Sequence, residues 1–431
     1  MSAAIPTQRR RDAGSDTWPR VRLGEVCELV SYRSHQIKQS EIMVSGKYPV
    51  VSQSEELIEG YSNSEIAIQE VPLVLFGDHT CCVKLIDFPF VVGADGTKLL
   101  KSKVMEAPYL AFALQYLKPT IIDGKYRRHF GDLMERFIPL PPLAIQRRIA
   151  AKLDRICDIV AKRKDQLSQL NQLVKSRFVE MFGDVTVNDR EWETATLPEL
   201  GELNRGVSKS RPRNSPELLG GPYPLVQTGD VSNSGPWIKN YSSTYSDKGL
   251  AQSRLWKRGT LCITIAANIA QTAILDFDAC FPDSVVGFVP NERTDAIFIH
   301  YWFSFFQKIL EAQAPQVAQK NINLKILSGL KVVEPPLALQ REFAAFVEKV
   351  DKLAAAVKRG LEAAERLYRQ QMQELFGEAA TETTETTETT ETTKTTKTAN
   401  AGGFSLSGLS TPSQGLNSPV GHCVKGGNAN G

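Results

Sequence analysis

From Leu143 onward the chain sets apolar residues at alternating steps of four and three. The series reads Ile149, Leu153, Ile156, Val160, Arg163, Leu167, Leu170, Val174, Arg177 and Met181. It returns 194 residues later as Phe343, Val347, Val350, Ala354, Val357, Leu361, Ala364, Tyr368, Gln371 and Leu375. Seventeen of these twenty positions are apolar, across four heptads in each copy. A 3.5-residue period sustained this long predicts two long helices with a coiled-coil seam. Each copy opens on a double proline, Pro141-Pro142 and Pro335-Pro336, and closes on Phe182-Gly183 and Phe376-Gly377. Proline is tolerated only in a helix's first turn, and glycine takes the left-handed stop after the last.

Both seams lie in one chain, so each helix is the expected partner of the other. Two bodies alternating with two helices favour an antiparallel pair with a body at each end. The alternative is that each helix packs on its own body. A rod of about 36 helical residues is roughly 54 Å long, and major grooves on one face of a duplex recur about every 34 Å. Such a rod is long enough to act as a ruler between two bodies.

The rest of the chain divides around this repeat. Residues 1–17 read as a disordered leader, 18–140 as a first body and 141–184 as the first helical region. Residues 190–334 read as a second body, 335–378 as the second helical region, and 379–431 as a disordered low-complexity tail rich in Thr and Glu. The bodies share landmarks: Trp18 and Trp192, then Tyr48-Pro49-Val50-Val51 and Tyr223-Pro224-Leu225-Val226. Buried strands are expected over 71–76 and 261–266, with further strands over 88–93 and 281–287. Helical spacing is expected over 107–116 and 296–310, where Phe298, Tyr301, Trp302, Phe305 and Phe306 read as core packing. The fold class is therefore mixed α/β (α+β): two globular domains separated by two long helices in an antiparallel coiled coil, with a pseudo-two-fold repeat.

Composition narrows the chemistry. A formal charge of +3 over 431 residues is too small to point to nucleic acid by itself, so binding must come from local clusters. The seven cysteines (27, 81, 82, 157, 262, 280 and 423) form no C-x-x-C pair and read as reduced thiols. No signal peptide or membrane-length apolar run is visible, and a cytoplasmic location without membrane contact is expected.

No phosphate-cradling loop, dinucleotide fingerprint or H-E-x-x-H occurs, and the five histidines show no metal-ligand spacing. Gly77-Asp78-His79-Thr80 is a poor catalytic dyad, because sequence neighbours on one turn rarely work together. Basic and amide groups are present on expected loops. Lys125, Arg127, Arg128 and His129 precede the first double proline; Gln316, Gln319, Lys320, Asn321 and Asn323 hold the equivalent place before the second. Lys209, Arg211 and Arg213 form a further basic loop. Arg and Lys grip phosphates and read guanine, while Asn and Gln pair with adenine. A single basic cluster is more often a solvated surface; matching placement in both halves favours binding.

The whole plan resembles the specificity subunit of type I restriction–modification systems over residues 18 to about 377. The resemblance rests on Ile138-Pro139-Leu140-Pro141-Pro142-Leu143-Ala144-Ile145-Gln146 and Val333-Glu334-Pro335-Pro336-Leu337-Ala338-Leu339-Gln340. Body phrases are similar too: Gly77 to Thr80, Phe88 to Leu99 and Arg127 to Phe130 in the first, Ala266 to Val289 in the second, with Ala267-Asn268 and Phe281-Pro282-Asp283-Ser284. It adds His79, Thr80, Asn268 and Gln271 to the DNA-facing candidates. It implies a non-catalytic chain that reads an asymmetric bipartite target on double-stranded DNA and binds no cofactor or metal itself. Its partners would be two modification (methyltransferase) subunits and restriction/translocase subunits, which bring S-adenosylmethionine, ATP and magnesium. Competing readings are the specificity subunit of a type IIB-like enzyme, a coiled-coil adaptor that does not touch DNA, and a self-contained methyltransferase or nuclease. The last fails for want of a cofactor motif.

Overall fold

Both predicted helices form, as Leu143–Phe182 and Leu337–Phe376, each 40 residues long. The computed structural model describes residues 18–93, 96–122, 127–210, 212–266, 269–313 and 322–377, without the side chains of 306–313. The first helix stops where Gly183 turns left-handed at φ +78°, its N–H bonded to the Val179 carbonyl at 2.8 Å. A Cβ on that glycine would meet the Asp189 carboxylate at 2.0 Å, so a side chain there must displace the linker.

The described residues fold as two compact units, those up to 163 with those from 360 onward, and those from 164 to 359. Each unit holds one body, the N-terminal half of one repeat helix and the C-terminal half of the other. In the first unit Lys152 bonds Gln371, while a Cβ on Gly360 would lie 3.4 Å from Arg163. One number rises as the other falls, so the helices are antiparallel. In the second unit Arg177 pairs with Glu342 at 3.0 Å, and Phe178 meets Phe343 at 5.3 Å.

The seam register agrees with the 4-3 series. Ile149, Leu153, Ile156, Val160, Phe343, Val347 and Val357 are buried, and Leu167, Leu170, Val350 and Leu361 are half-buried. The helices pack on each other and on the bodies together, which merges the two expected arrangements. Residues outside the series supply the second contact. Phe178 and Phe182 stack among Phe298, Phe305 and Phe343 in the second unit. Their equivalents at the 194-residue offset, Met372 and Phe376, enter the first core, with Phe376 5.3 Å from Tyr109 and 5.9 Å from Tyr116.

The bodies repeat one topology. In the first, an antiparallel sheet runs Glu28–Val30, Thr97–Lys101, Leu73–Gly77, Val83–Ile86. In the second, the antiparallel order Gly201–Arg205, Val285–Pro290, Leu261–Thr264, Thr272–Leu275 matches it, with Trp237–Ile238 added in parallel. A smaller sheet follows in each, centred on Tyr48–Val51 and on Leu219–Leu225. Ala107–Ile121 and Ala296–Gln313 are the expected helices, longer than their apolar spacing showed. Phe298 and Trp302 are fully buried, Tyr301 and Phe305 pack against the same core, and the Phe306 side chain lies outside the described residues. The strands expected over 88–93 and 281–287 form only in part. In the first, Phe90 bridges Ile68 and Val91–Val92 pairs with Val50–Val51, while in the second residues 281–284 turn and the strand begins at Val285.

The repeated Pro-Pro-Leu-Ala-x-Gln motif has a structural reason. Gln146, fully buried, accepts the N–H of Glu106 at 2.8 Å and donates to the carbonyls of Val104 and Pro141 at 3.0 and 2.8 Å. Gln340 does the same for Asp295, Arg293 and Pro335 at 3.0, 3.3 and 2.8 Å. Each glutamine thus joins a repeat helix to the start of its body's long helix. Replacing Gln146 by Leu strands three backbone groups, one buried and two partly buried, and is expected to cost about 3 kcal/mol. Chemical denaturation of the full chain checks this, and a loss below about 0.5 kcal/mol would assign the motif no such role.

Candidate nucleic-acid interface

Each body gathers three segments at one end of its main sheet with the same two backbone bonds. In the first, Asp78 follows the strand Leu73–Gly77; its N–H donates to Gly96 at 2.8 Å, and its carbonyl accepts from the His129 N–H at 2.8 Å. In the second, Ile265 follows Leu261–Thr264; its N–H donates to Ser284 and its carbonyl accepts from Ile322, both at 3.0 Å. The third segment in each case is the loop before the double proline, leading into the short helices Phe130–Met134 and Leu324–Ser328. The described ends of the two loops, His129 and Ile322, therefore hold equivalent places.

In the first body the buried Asp78 carboxylate accepts the Phe130 N–H at 3.0 Å and lies 3.7 Å from Lys98. Gln53 braces the adjoining turn: its side-chain oxygen accepts from the His79 N–H at 3.3 Å, and its carbonyl from the Thr80 hydroxyl at 2.8 Å. Lys84, buried beneath, donates to the carbonyls of Ser52 (2.8 Å) and Glu56, and burial pulls its pKa down. Sequence reading missed this lysine; the signal was a charge inside the apolar run Val83-Lys84-Leu85-Ile86.

The candidates divide by exposure. Arg128 and Thr80 are exposed and His79 is half-buried; Arg127 is held to Asp132 at 2.6 Å. His129 is only 3% exposed, so it supports the loop from beneath instead of meeting solvent. Lys125 lies outside the described residues.

The second body builds its cluster from other side chains. Arg205 donates through Nε and Nη2 to the Asp283 carbonyl at 2.9 and 2.6 Å, and Arg213 ion-pairs with the Asp283 carboxylate. These groups border a pocket of ≈ 370 Å³ with Ile265, Ser284 and Asn323. Asn323 spends its carbonyl oxygen on the Ile326 N–H at 2.9 Å as a helix cap, leaving its amide hydrogens for a ligand. Lys209 is exposed; Gln271 is half-buried, its N–H bonded to the Thr264 hydroxyl at 3.1 Å. Arg211, Asn268, Gln316, Gln319, Lys320 and Asn321 lie outside the described residues. Among the described residues no group of three His, Cys, Asp or Glu side chains is placed to hold a metal, and no helix is long and apolar enough to cross a membrane.

A sequence model of the type I restriction modification DNA specificity domain matches residues 15–172 and again 189–366. The chain belongs to this family. Each match contains one body with one loop cluster, so the duplicated site coincides with a duplicated specificity domain. The chain is similar to the specificity subunit of the type I restriction enzyme EcoR124I/EcoR124II of Escherichia coli, 22% identical over 368 residues, spanning 79% of this chain and 88% of that protein. It is also similar to the MjaVIII specificity subunit of Methanocaldococcus jannaschii, 22% identical over 405 residues, spanning 84% and 92%. Among solved structures it is similar to the S subunit of a type I restriction–modification system from M. genitalium: TM-score 0.60, 15% identity, 88% of this chain and all of that one. That likeness speaks for the fold.

Of the described basic candidates on the first-body loop, Arg128 is the exposed one. Arg128→Ala is expected to weaken or relax recognition in one half-site by about 1–3 kcal/mol, leaving the other unchanged. Binding to duplexes altered in either half checks this; equal loss at both halves would sink the modular picture.

Proposed function

We propose that this chain is the DNA-reading subunit of a type I restriction–modification complex, each body reading one half of a split, asymmetric target. The observation that carries this is the pair of loop clusters, alike in backbone and unlike in side chains. Asp78, Lys98 and Arg128 furnish one, and Arg205, Arg213 and Asp283 the other. Equivalent placement gives the same mode of approach, and different groups give different half-sites. The chain itself would carry out no chemistry. Adenine methylation and cleavage would fall to modification and restriction/translocase partners, which would bring S-adenosylmethionine, ATP and magnesium. The two repeat helices would set the spacing between half-sites.

Two modification subunits are supported by a second duplication. Among the exposed apolar residues of the repeat helices are Ile159, Leu173, Leu353 and Leu367, each about half exposed. They form equivalent pairs at the 194-residue offset, Ile159 with Leu353 and Leu173 with Leu367. Each immediately precedes a seam position, which is the flanking heptad site that faces its counterpart across an antiparallel seam. Ile159 and Leu367 flank the seam in the first unit, Leu353 and Leu173 in the second. Repeated exposed apolar pairs fit two copies of one partner.

Mapping methylated adenines in the host genome with and without this chain tests the proposal. A bipartite adenine motif that disappears with the chain supports it; an unchanged methylation pattern counts against it. Binding to duplex DNA that falls steeply with salt separates it from the adaptor reading, since phosphate contacts release counterions.

A further inference from the structure

The second body's cluster contains one acid among its cations, and a carboxylate is the wrong charge for a surface facing phosphates. Asp283 is nevertheless held firmly there. Two nitrogens of Arg205 fix its carbonyl, and Ile265 fixes the carbonyl of Ser284. Two residues earlier, the buried Phe281 ring stacks on Trp256 at 4.8 Å. The Asp283 side chain remains 31% exposed and its partner Arg213 42% exposed, at the border of the pocket. In the first body the acid at the junction, Asp78, is buried and bonded to the Phe130 N–H. Asp283, by contrast, is accessible to a ligand from the pocket.

We propose that Asp283 and Arg213 form a specificity-determining pair that reads one C·G base pair in the half-site contacted by the second body. This rests on the reading of the chain as a DNA specificity subunit. A carboxylate can only accept hydrogen bonds, and the donors in the major groove are the cytosine N4 and adenine N6 amino groups. Asp283 therefore selects cytosine or adenine. The neighbouring guanidinium decides between them, because guanine offers two acceptors, O6 and N7, to a fork of donors, whereas thymine offers only O4. An acid beside an arginine thus matches cytosine beside guanine. The ion pair survives the contact, since a carboxylate has about four lone-pair sites and a guanidinium five N–H donors. Without DNA each charge neutralises the other, and on DNA Arg213 offsets the repulsion between Asp283 and the phosphates.

The test replaces the host's copy with the full chain, either unchanged or carrying Asp283→Asn, and maps methylated adenines. The unchanged chain should give a bipartite motif with a C·G pair in one half. Asp283→Asn should lower selectivity at that pair by about tenfold or more and leave the other half intact. If the substitution abolishes methylation, Asp283→Glu decides: recovery with the C·G preference kept supports the pair, and no recovery overturns it. Unchanged selectivity at every position, or relaxation at a pair other than C·G, also overturns it while the DNA-reading function stands. Absence of any chain-dependent bipartite motif overturns that function itself.

Discussion

A fragment spanning Trp18 to Gly183 is expected to form a two-fold dimer. It retains the first body and the whole first repeat helix but lacks Tyr368, Met372 and Phe376, three buried residues of the first unit's core. Losing buried side chains of that size costs about 3–5 kcal/mol each, comparable with the whole stability of a domain. The fragment holds replacements in its own helix, because Val174, Phe178 and Phe182 are their equivalents at the 194-residue offset. A second copy can lay those residues on the first copy's body, and the reverse contact follows by symmetry. The dimer would carry two identical bodies and should select a palindromic target. Sedimentation against concentration measures the association. A folded fragment that stays monomeric would show that the second helix is dispensable to the first core.

The other large effect is expected at the exposed apolar pairs. Leu173→Asp combined with Leu353→Asp puts charge on the flanking pair of the second unit while leaving the buried seam intact. Burying an unpaired carboxylate against an apolar partner costs several kcal/mol. One modification subunit should therefore fail to bind, and the assembled complex should carry one in place of two. Ile159→Asp with Leu367→Asp should remove the other, and all four changes together should abolish methylation in the cell. Mass measurement of the purified complex reads the stoichiometry. Retention of two partners by the fourfold variant would place the docking surface elsewhere.

Much of this architecture was legible in the chain, and most of what was not depends on contacts distant in sequence. The seam could be read because a 3.5-residue period is a local property sampled at twenty positions. Phe178, Phe182, Met372 and Phe376 were missed because they belong to a second stripe, which exists only where a body covers the helix. Their aromatic and apolar character at matching offsets was a usable signal. The strand expected over 281–287 starts late, at Val285, because Pro282 opens a turn closed by the Val285 N–H. At the candidate site the place of each loop in the chain was readable, since the double prolines follow both. The inward placement of His129 and Asp78 was not, because polar burial depends on partners distant in sequence.

One contact made at the start of the first body has a wider consequence. Arg20 donates to the last carbonyls of the second repeat helix, Phe376 at 3.4 Å and Gly377 at 3.1 Å. In the second unit, Trp192 at the start of the body likewise donates to Phe182 at the end of the first helix, at 2.9 Å. Each body therefore begins where a repeat helix ends, whether or not the peptide chain joins them directly. The contacts assign neither body a privileged place in the reading order. An exchange of genetic material within the repeated helices would deliver a new body to either position already fitted to its supports, and each such exchange would create a new composite address on DNA without redesigning the molecule that carries it.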